Sequence, residues 1–210
     1  KKELEIAYLL MAYVFKTLLP GNEDFEEFQY KNNSIEIIEA TRSRKIHSNC
    51  IMYSTVCCEL FWAFGLKARQ IICFPPTLNS DLGCHCMVHA YINSLNKWLL
   101  FDPSHCAMFR TRNGAFLNLS ELRHLIVNEE PYVVFGAKLF NKKVDAQLKE
   151  FLPKYMVNFY SPKHNYFNCT SGESYEVNML LPKCIMPLIS DSNCNSLIHY
   201  TSNERDFYEF

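Results

Sequence analysis

Three side chains in the first half of the chain have the types and the order of a thiol-based catalytic triad. His89 follows Cys50 after 39 residues, and Asp102 follows His89 after 13 more. A cysteine thiolate can attack an amide carbonyl, an imidazole can take the thiol proton, and a carboxylate can orient the imidazole. These residue types in this order predict nucleophilic catalysis of acyl transfer.

The segment that begins at Cys50 has the pattern of a helix. Residues 50–64 contain neither glycine nor proline, and Gly65 stands where helices commonly end. Ser48 or Asn49 is expected to cap this helix and to place Cys50 in its first turn. There, unpaired backbone amides and the helix dipole stabilise a thiolate, and the same amides can hold the oxyanion of a tetrahedral intermediate.

The next segments predict strands that carry the other two residues. Residues 67–74, 86–94 and 97–102 are extended by pattern, and the last two are expected to form a hairpin. With residues 95–96 as a two-residue loop, His89 lies directly opposite Asp102; a four-residue loop is expected to keep this register and a three-residue loop to break it. The Cβ atoms of opposed residues are about 4.5–5.5 Å apart. The carboxylate is then able to accept the imidazole N–H and to fix its tautomer.

The remaining pattern predicts helices over residues 3–18, 120–127 and 145–160, the last with a break or kink at Pro153, and a loop over residues 41–49. No internal repeat or low-complexity tract interrupts the chain. The length of 210 residues fits one domain. We therefore predict a single domain over 1–210, with a core motif region at 50–103 and elaborations at 1–49 and 104–210.

The charge and hydropathy of the chain argue against two classes of partner. The formal net charge is −1 and there is no basic run, so no nucleic acid is expected. The apolar stretch at residues 6–19 is short and contains Lys16, so no membrane span is expected. The predicted compartment is the cytoplasm, where ten cysteines remain mostly as buried free thiols.

Cys84, His85 and Cys86 resemble half of a metal site, and a metal-binding protein built on them is one alternative. No second ligand pair with zinc spacing completes the set in the sequence. His85 and His105 flank the triad residues in sequence and are interpreted as surface or hydrogen-bonding histidines. We predict neither a metal nor a cofactor.

Residues 50–103 carry a family resemblance. Cys50 is followed by Gly65-Leu66-Lys67-Ala68-Arg69, then by His89-Ala90-Tyr91, and then by Trp98 through Asp102-Pro103. This combination resembles the transglutaminase-like core that transglutaminases, many microbial cysteine proteases and peptide N-glycanases share. The match covers about a quarter of the chain. The CxxC pairs expected of peptide N-glycanases and recognisable calcium loops are absent from the sequence.

The resemblance implies an α+β papain-like fold, in which the helix of the nucleophile packs on an antiparallel sheet. It also implies a second oxyanion donor upstream of the cysteine, for which Gln29, Tyr30, His47 and Asn49 are the candidates.

The implied activity is cysteine-dependent acyl transfer or hydrolysis at amide bonds of a protein or peptide, through a thioester. Cross-linking, proteolysis and deamidation all remain open. A catalytically silent module of the same fold that binds protein or peptide is the alternative.

Overall fold

The apolar residues between 67 and 135 build the centre of one sheet, and helices cover both of its faces. The computed structural model describes residues 2–21, 33–74, 84–136, 144–154, 158–162, 177–180 and 198–201. Within them the chain forms a two-stranded sheet and an eight-stranded sheet with the order β10-β9-β8-β3-β4-β5-β6-β7. All neighbouring strands of the larger sheet are antiparallel except β9 and β10.

The elements follow one another along the chain as five helices and ten strands within the described residues. The helices are α1 (Lys2–Thr17), α2 (Ser34–Arg44), α3 (Cys50–Ala63), α4 (Leu119–Val127) and α5 (Val144–Phe151). The strands are β1 (Leu19–Pro20), β2 (His47–Ser48), β3 (Lys67–Phe74), β4 (His85–Ile92), β5 (Lys97–Asp102), β6 (Ala107–Arg110), β7 (Val133–Phe135), β8 (Asn158–Pro162), β9 (Val177–Leu180) and β10 (Ile198–Thr201).

Alternation along the strands divides the core into two layers. Val88, Ala90 and Ile92 of β4 pack in one cluster with the buried residues of α1, α2 and α3. Met87 of β4 belongs to the other cluster, which contains the buried leucines of α4 and α5. Successive strand residues point to opposite faces. The sheet therefore lies between the two groups of helices.

Helix α3 has a capped start, which is also fixed against the sheet, and an end that is set by a glycine. The side-chain carbonyl of Asn49 caps its start, accepting the N–H groups of Ile51 and Met52 at 3.1 Å each. Near this end, the Gln70 amide on β3 donates to the Ile51 carbonyl at 3.3 Å. At the other end Gly65 has a φ of +79°, which a residue with a Cβ rarely adopts. The first turn of α3 is thus held at a defined position over β3.

These elements confirm the α+β fold that the resemblance implied. The helix beginning at Cys50 packs on an antiparallel sheet, and strand β3 has the predicted bounds. Helix α1 also agrees with its predicted range to within one residue. None of the helices in the described part of the chain has the length and hydrophobicity that a bilayer crossing requires.

Three element predictions were wrong. The predicted loop over residues 41–49 begins with the last turn of α2, because Thr41 is buried and its hydroxyl bonds the Ile37 carbonyl. The helix predicted over 145–160 ends at Phe151, in agreement with the predicted break at Pro153, but the prediction is wrong beyond it, where residues 158–162 form strand β8. In place of the predicted two-residue loop at residues 95–96, residues 93–96 connect the two strands, and this changes the register of the hairpin.

Phe61 on α3 and Phe64, which caps the end of that helix, offer a matched test of the helix–sheet contact. Phe61 is fully buried, and its ring lies edge-on to Phe101 of β5 with centroids 5.1 Å apart. Phe61→Ala should lower the free energy of unfolding by about 3–5 kcal/mol through lost burial and the cavity left behind. Phe64 is 61% exposed, so Phe64→Ala should change it by less than about 0.5 kcal/mol. Urea unfolding curves measure both, and equal effects would contradict this packing.

Candidate active site

Cys50 is the first residue of α3, as the sequence predicted. Its side chain is half-buried, and Asn49 rather than Ser48 supplies the helix cap. The cap occupies the amides of the next two residues, Ile51 and Met52. Within the described residues no acceptor is bonded to the N–H of Cys50 itself. A nucleophilic sulfur and an available backbone donor are therefore present on the same residue.

The surroundings of the Cys50 sulfur favour the thiolate. A hydrogen bond with the Cys86 side chain is the largest influence on the pKa of Cys50, and a hydrogen bond with His85 and its charge add to it. Together they outweigh the desolvation that burial imposes and lower the pKa of Cys50 to about 4. The Sγ atom also lies 3.8 Å from the Cys84 carbonyl, a contact that serves as a hydrogen bond only when the thiol is protonated.

The predicted pairing of His89 with Asp102 is wrong. Strands β4 and β5 are joined by residues 93–96, where Asn93–Leu95 form a 3₁₀ turn and Asn96 adopts a φ of +49°. The last pair of the ladder is Ile92 with Lys97, so His89 lies opposite Leu100. The two-residue shift keeps every side chain on its expected face but moves Asp102 towards the start of β4.

At the start of β4, His85 occupies the position that had been expected for His89. Its Nε2 atom lies 2.9 Å from Oδ2 of Asp102. Because Nε2 is engaged there, the ring nitrogen that remains for the Cys50 sulfur is Nδ1. Burial alone would lower the pKa of His85, but the Asp102 carboxylate and the Cys50 thiolate raise it to about 10. Cys50, His85 and Asp102 therefore form one continuous hydrogen-bonded chain.

The Asp102 carboxylate is fully buried and accepts hydrogen bonds on both oxygens. Besides His85, Oδ2 accepts from Nδ1 of His105 at 3.0 Å. Oδ1 accepts from the Ser104 hydroxyl at 2.8 Å and from the His105 backbone N–H at 3.3 Å. Burial would raise the pKa of Asp102, but the charges of His105 and His85 and these bonds hold it well below its usual range. Asp102 is thus an ionised carboxylate.

His89 lies in a different environment about four residues, or roughly 13 Å, further along the strand. Its Nδ1 atom is 3.4 Å from the Arg69 guanidinium, and its ring lies 5.1 Å from that of Trp98. Burial and the positive charge of Arg69 lower the pKa of His89 well below its ordinary value. A neutral imidazole whose Nδ1 faces a guanidinium is a packing residue of the sheet.

Two of the four upstream candidates for a second oxyanion donor lie within the described residues. Asn49 lies at the start of α3, and its side-chain carbonyl is committed to the helix cap while its NH₂ group remains a possible donor. His47 is half-buried on β2, two residues from the cap. Gln29 and Tyr30 lie outside the described residues.

His85, Asp102 and His105 are the ligand-type side chains that converge in the described part of the chain, with their atoms within 4.8 Å of one another. The hydrogen bonds already described join these groups through Asp102, so their arrangement is accounted for without an ion. Of the three residues in the metal-site alternative, Cys86 forms a side-chain hydrogen bond with Cys50, Cys84 forms one with Cys86, and His85 bonds Asp102.

Sequence reasoning missed the pairing of His85 with Asp102. His85 and His89 are four residues apart on one strand, so they occupy the same face and strand alternation does not distinguish them. The choice depends on the length of the turn at residues 93–96. His105 was interpreted as a flanking histidine, although its spacing of three residues from Asp102 in a turn was a usable signal.

A comparison with protein families places these residues in a wider group. Residues 1–103 match the model of the transglutaminase-like superfamily, and this segment contains Cys50, His85 and Asp102. No curated protein and no solved structure matched the chain. The superfamily match supports the resemblance seen in residues 50–103 and extends it to residues 1–103, which are just under half of the chain.

Proposed function

We propose that the protein is a cysteine-dependent enzyme that performs acyl transfer or hydrolysis at amide bonds of a protein or peptide. In this proposal Cys50 is the nucleophile, His85 is the general base and acid, and Asp102 orients His85. The observation that carries it is the 2.9 Å contact between His85 and Asp102 in a chain of hydrogen bonds that ends on the Cys50 sulfur. The superfamily match supports the same class of chemistry.

The first half-reaction uses a pre-formed ion pair. With the pKa of Cys50 lowered to about 4 and that of His85 raised to about 10, the proton already resides on His85 at neutral pH. The thiolate attacks the amide carbonyl carbon, and a carbon–sulfur bond forms while the carbonyl oxygen becomes an oxyanion. His85 then gives its proton to the leaving nitrogen as the carbon–nitrogen bond breaks. The products are a thioester on Cys50 and free ammonia or an amine.

The second half-reaction regenerates the thiolate. His85 takes a proton from water or from a primary amine as that nucleophile attacks the thioester, and the sulfur leaves as the thiolate. Attack by water makes the protein a protease or a deamidase, and attack by a lysine amine makes it a cross-linking enzyme. The same three residues serve all of these outcomes.

The Cys50 N–H is the oxyanion donor that we assign. The side-chain Oδ1 of Asn49 accepts hydrogen bonds from the N–H groups of Ile51 and Met52, so these two amides point at the cap. The amide of Cys50 lies at the positive end of α3 and beside the attacking sulfur, where a developing oxyanion gains most from it. The Asn49 NH₂ group is the candidate for the second donor.

The ion pair predicts an unusual pH dependence of alkylation. Because iodoacetamide reacts with the thiolate, labelling of Cys50 should be nearly constant from pH 5 to 9 and should fall only as the pH approaches 4. Ordinary thiols should instead react about tenfold faster per pH unit up to their pKa near 8.5. Mass spectrometry of the native protein gives the rate at each cysteine. A Cys50 rate that rises continuously to pH 9 would overturn the proposal.

The same substitution at the two histidines of β4 separates their roles. His85→Gln keeps an N–H for Asp102 but removes the imidazole, so the pKa of Cys50 should rise and its labelling rate at pH 6 should fall at least about tenfold. His89→Gln should leave that rate within about twofold, because His89 contacts Arg69 and Trp98. Thermal unfolding of both variants verifies that each is folded. The reverse result would assign the base to His89.

Turnover is tested with glutamine-containing peptides, with and without a primary amine. Ammonia release without amine indicates deamidation, amine incorporation indicates transfer, and cleavage of the peptide bond indicates proteolysis. Cys50→Ala should abolish whichever activity is found, because no thioester can form. Cys57→Ala is the matched control on α3, since Cys57 is fully buried. If a peptide binds to both wild type and Cys50→Ala and neither protein turns it over, the protein is a silent binding module.

A further inference from the structure

The segment that follows residue 103 lies outside the superfamily match, yet it contacts the buried carboxylate of the site. Residues 103–106 form a turn that brings His105 back onto Asp102. Both the ring Nδ1 and the backbone N–H of His105 donate to that carboxylate, one to each oxygen. This two-point contact fixes the rotation of the carboxylate about its own axis.

The backbone of this turn has an unusual conformation. Cys106 is fully buried and has a φ of +50°, in the left-handed region that non-glycine residues seldom adopt. Such a conformation is unfavourable for a residue with a Cβ and persists only where the surrounding contacts require it. Here it directs the chain from the His105 contact into strand β6. The contact of His105 with Asp102 therefore coincides with an unfavourable backbone conformation at the next residue.

We propose that His105 is a positioning residue, which holds the Asp102 carboxylate in the orientation that His85 requires. This inference deepens the proposed function and rests on it. When the His105 imidazole is removed, Oδ2 loses one of its two imidazole donors, whereas the Ser104 hydroxyl and the backbone N–H of residue 105 still hold Oδ1. The carboxylate then rotates away from the line to His85 Nε2, and His85 supports the Cys50 thiolate less well.

The surroundings of His105 indicate which of its nitrogens matters. Nδ1 faces Asp102 at 3.0 Å and the Ser104 hydroxyl at 3.1 Å, so it carries the proton that it donates. The ring also borders a surface cavity of about 360 Å³, together with Gln147, Leu148, Glu150, Phe151 and Lys154. The titratable groups around the ring are therefore Asp102 and His85 on the sheet side and Glu150 and Lys154 on the cavity side.

Two substitutions separate the donor from the rest of the ring. An asparagine places its NH₂ group close to the position of the histidine Nδ1–H, whereas a leucine fills similar space without any donor. His105→Asn should therefore leave the pH profile of Cys50 alkylation within about twofold of wild type. His105→Leu should shift the lower edge of that profile upwards by about one pH unit, which lowers the rate at pH 4 about fivefold. Equal profiles for the two variants would overturn the proposal.

A second readout does not depend on the reactivity of Cys50. The bonds of His85 and His105 to Asp102 should each give a downfield imidazole N–H resonance in the proton NMR spectrum, which His85→Gln and His105→Asn assign by removal. The His85 resonance should keep its position in His105→Asn and should shift or broaden in His105→Leu.

An unmoved His85 resonance in both variants overturns the positioning role even where alkylation follows the proposed function. A different outcome overturns the proposed function instead. In it, the Cys50 labelling rate of wild type is not constant from pH 5 to 9, while the His85 resonance still differs between His105→Asn and His105→Leu.

Discussion

The site depends on one buried charge, the carboxylate of Asp102. Removing such an ion from water costs several kcal/mol after relaxation, and this cost is offset only where its oxygens are fully hydrogen-bonded. Two imidazoles, a hydroxyl and a backbone amide supply those bonds. The carboxylate is at the end of β5, where the chain leaves the sheet and can turn back. The position of His85 at the start of β4 and the turn at residues 103–106 both follow from this requirement.

Negative and positive charges alternate from the Asp102 carboxylate through His85 to the Cys50 sulfur. The Asp102 carboxylate favours a protonated His85, and a protonated His85 favours the Cys50 thiolate, so the pKa of each group depends on its neighbour. The first turn of α3 adds the helix dipole at the sulfur. Other thiols nearby follow the opposite rule. Burial without a cationic partner raises the pKa of Cys57 and of Cys73 well above the ordinary value, so these two remain neutral packing groups.

Local sequence signals were sufficient where a single element decides the structure. The helix of Cys50 lacks glycine and proline and has a capping residue before it, and it formed as predicted. The hairpin was also predicted, but its register was not, because that depends on Asn96 adopting a left-handed conformation at the end of a four-residue connection. The contact of His105 depends in the same way on Cys106. Residue type alone does not specify a left-handed backbone at asparagine or cysteine. The second oxyanion donor, the single domain over 1–210 and the protein or peptide substrate remain predictions.

Strand β4 shows how neighbours rather than residue type assign a role. His85 and His89 are both buried, share one face of the sheet and are separated by four residues. Burial lowers the pKa of each, so it cannot explain why they differ. The difference comes from one partner: a carboxylate at His85 raises the pKa, and the Arg69 guanidinium at His89 lowers it further. A histidine beside a cation has no use for a proton at neutral pH, whereas one between a thiolate and a carboxylate retains it. The two-residue register of the hairpin, by placing Asp102 at one end of β4, therefore decides which histidine can do the chemistry.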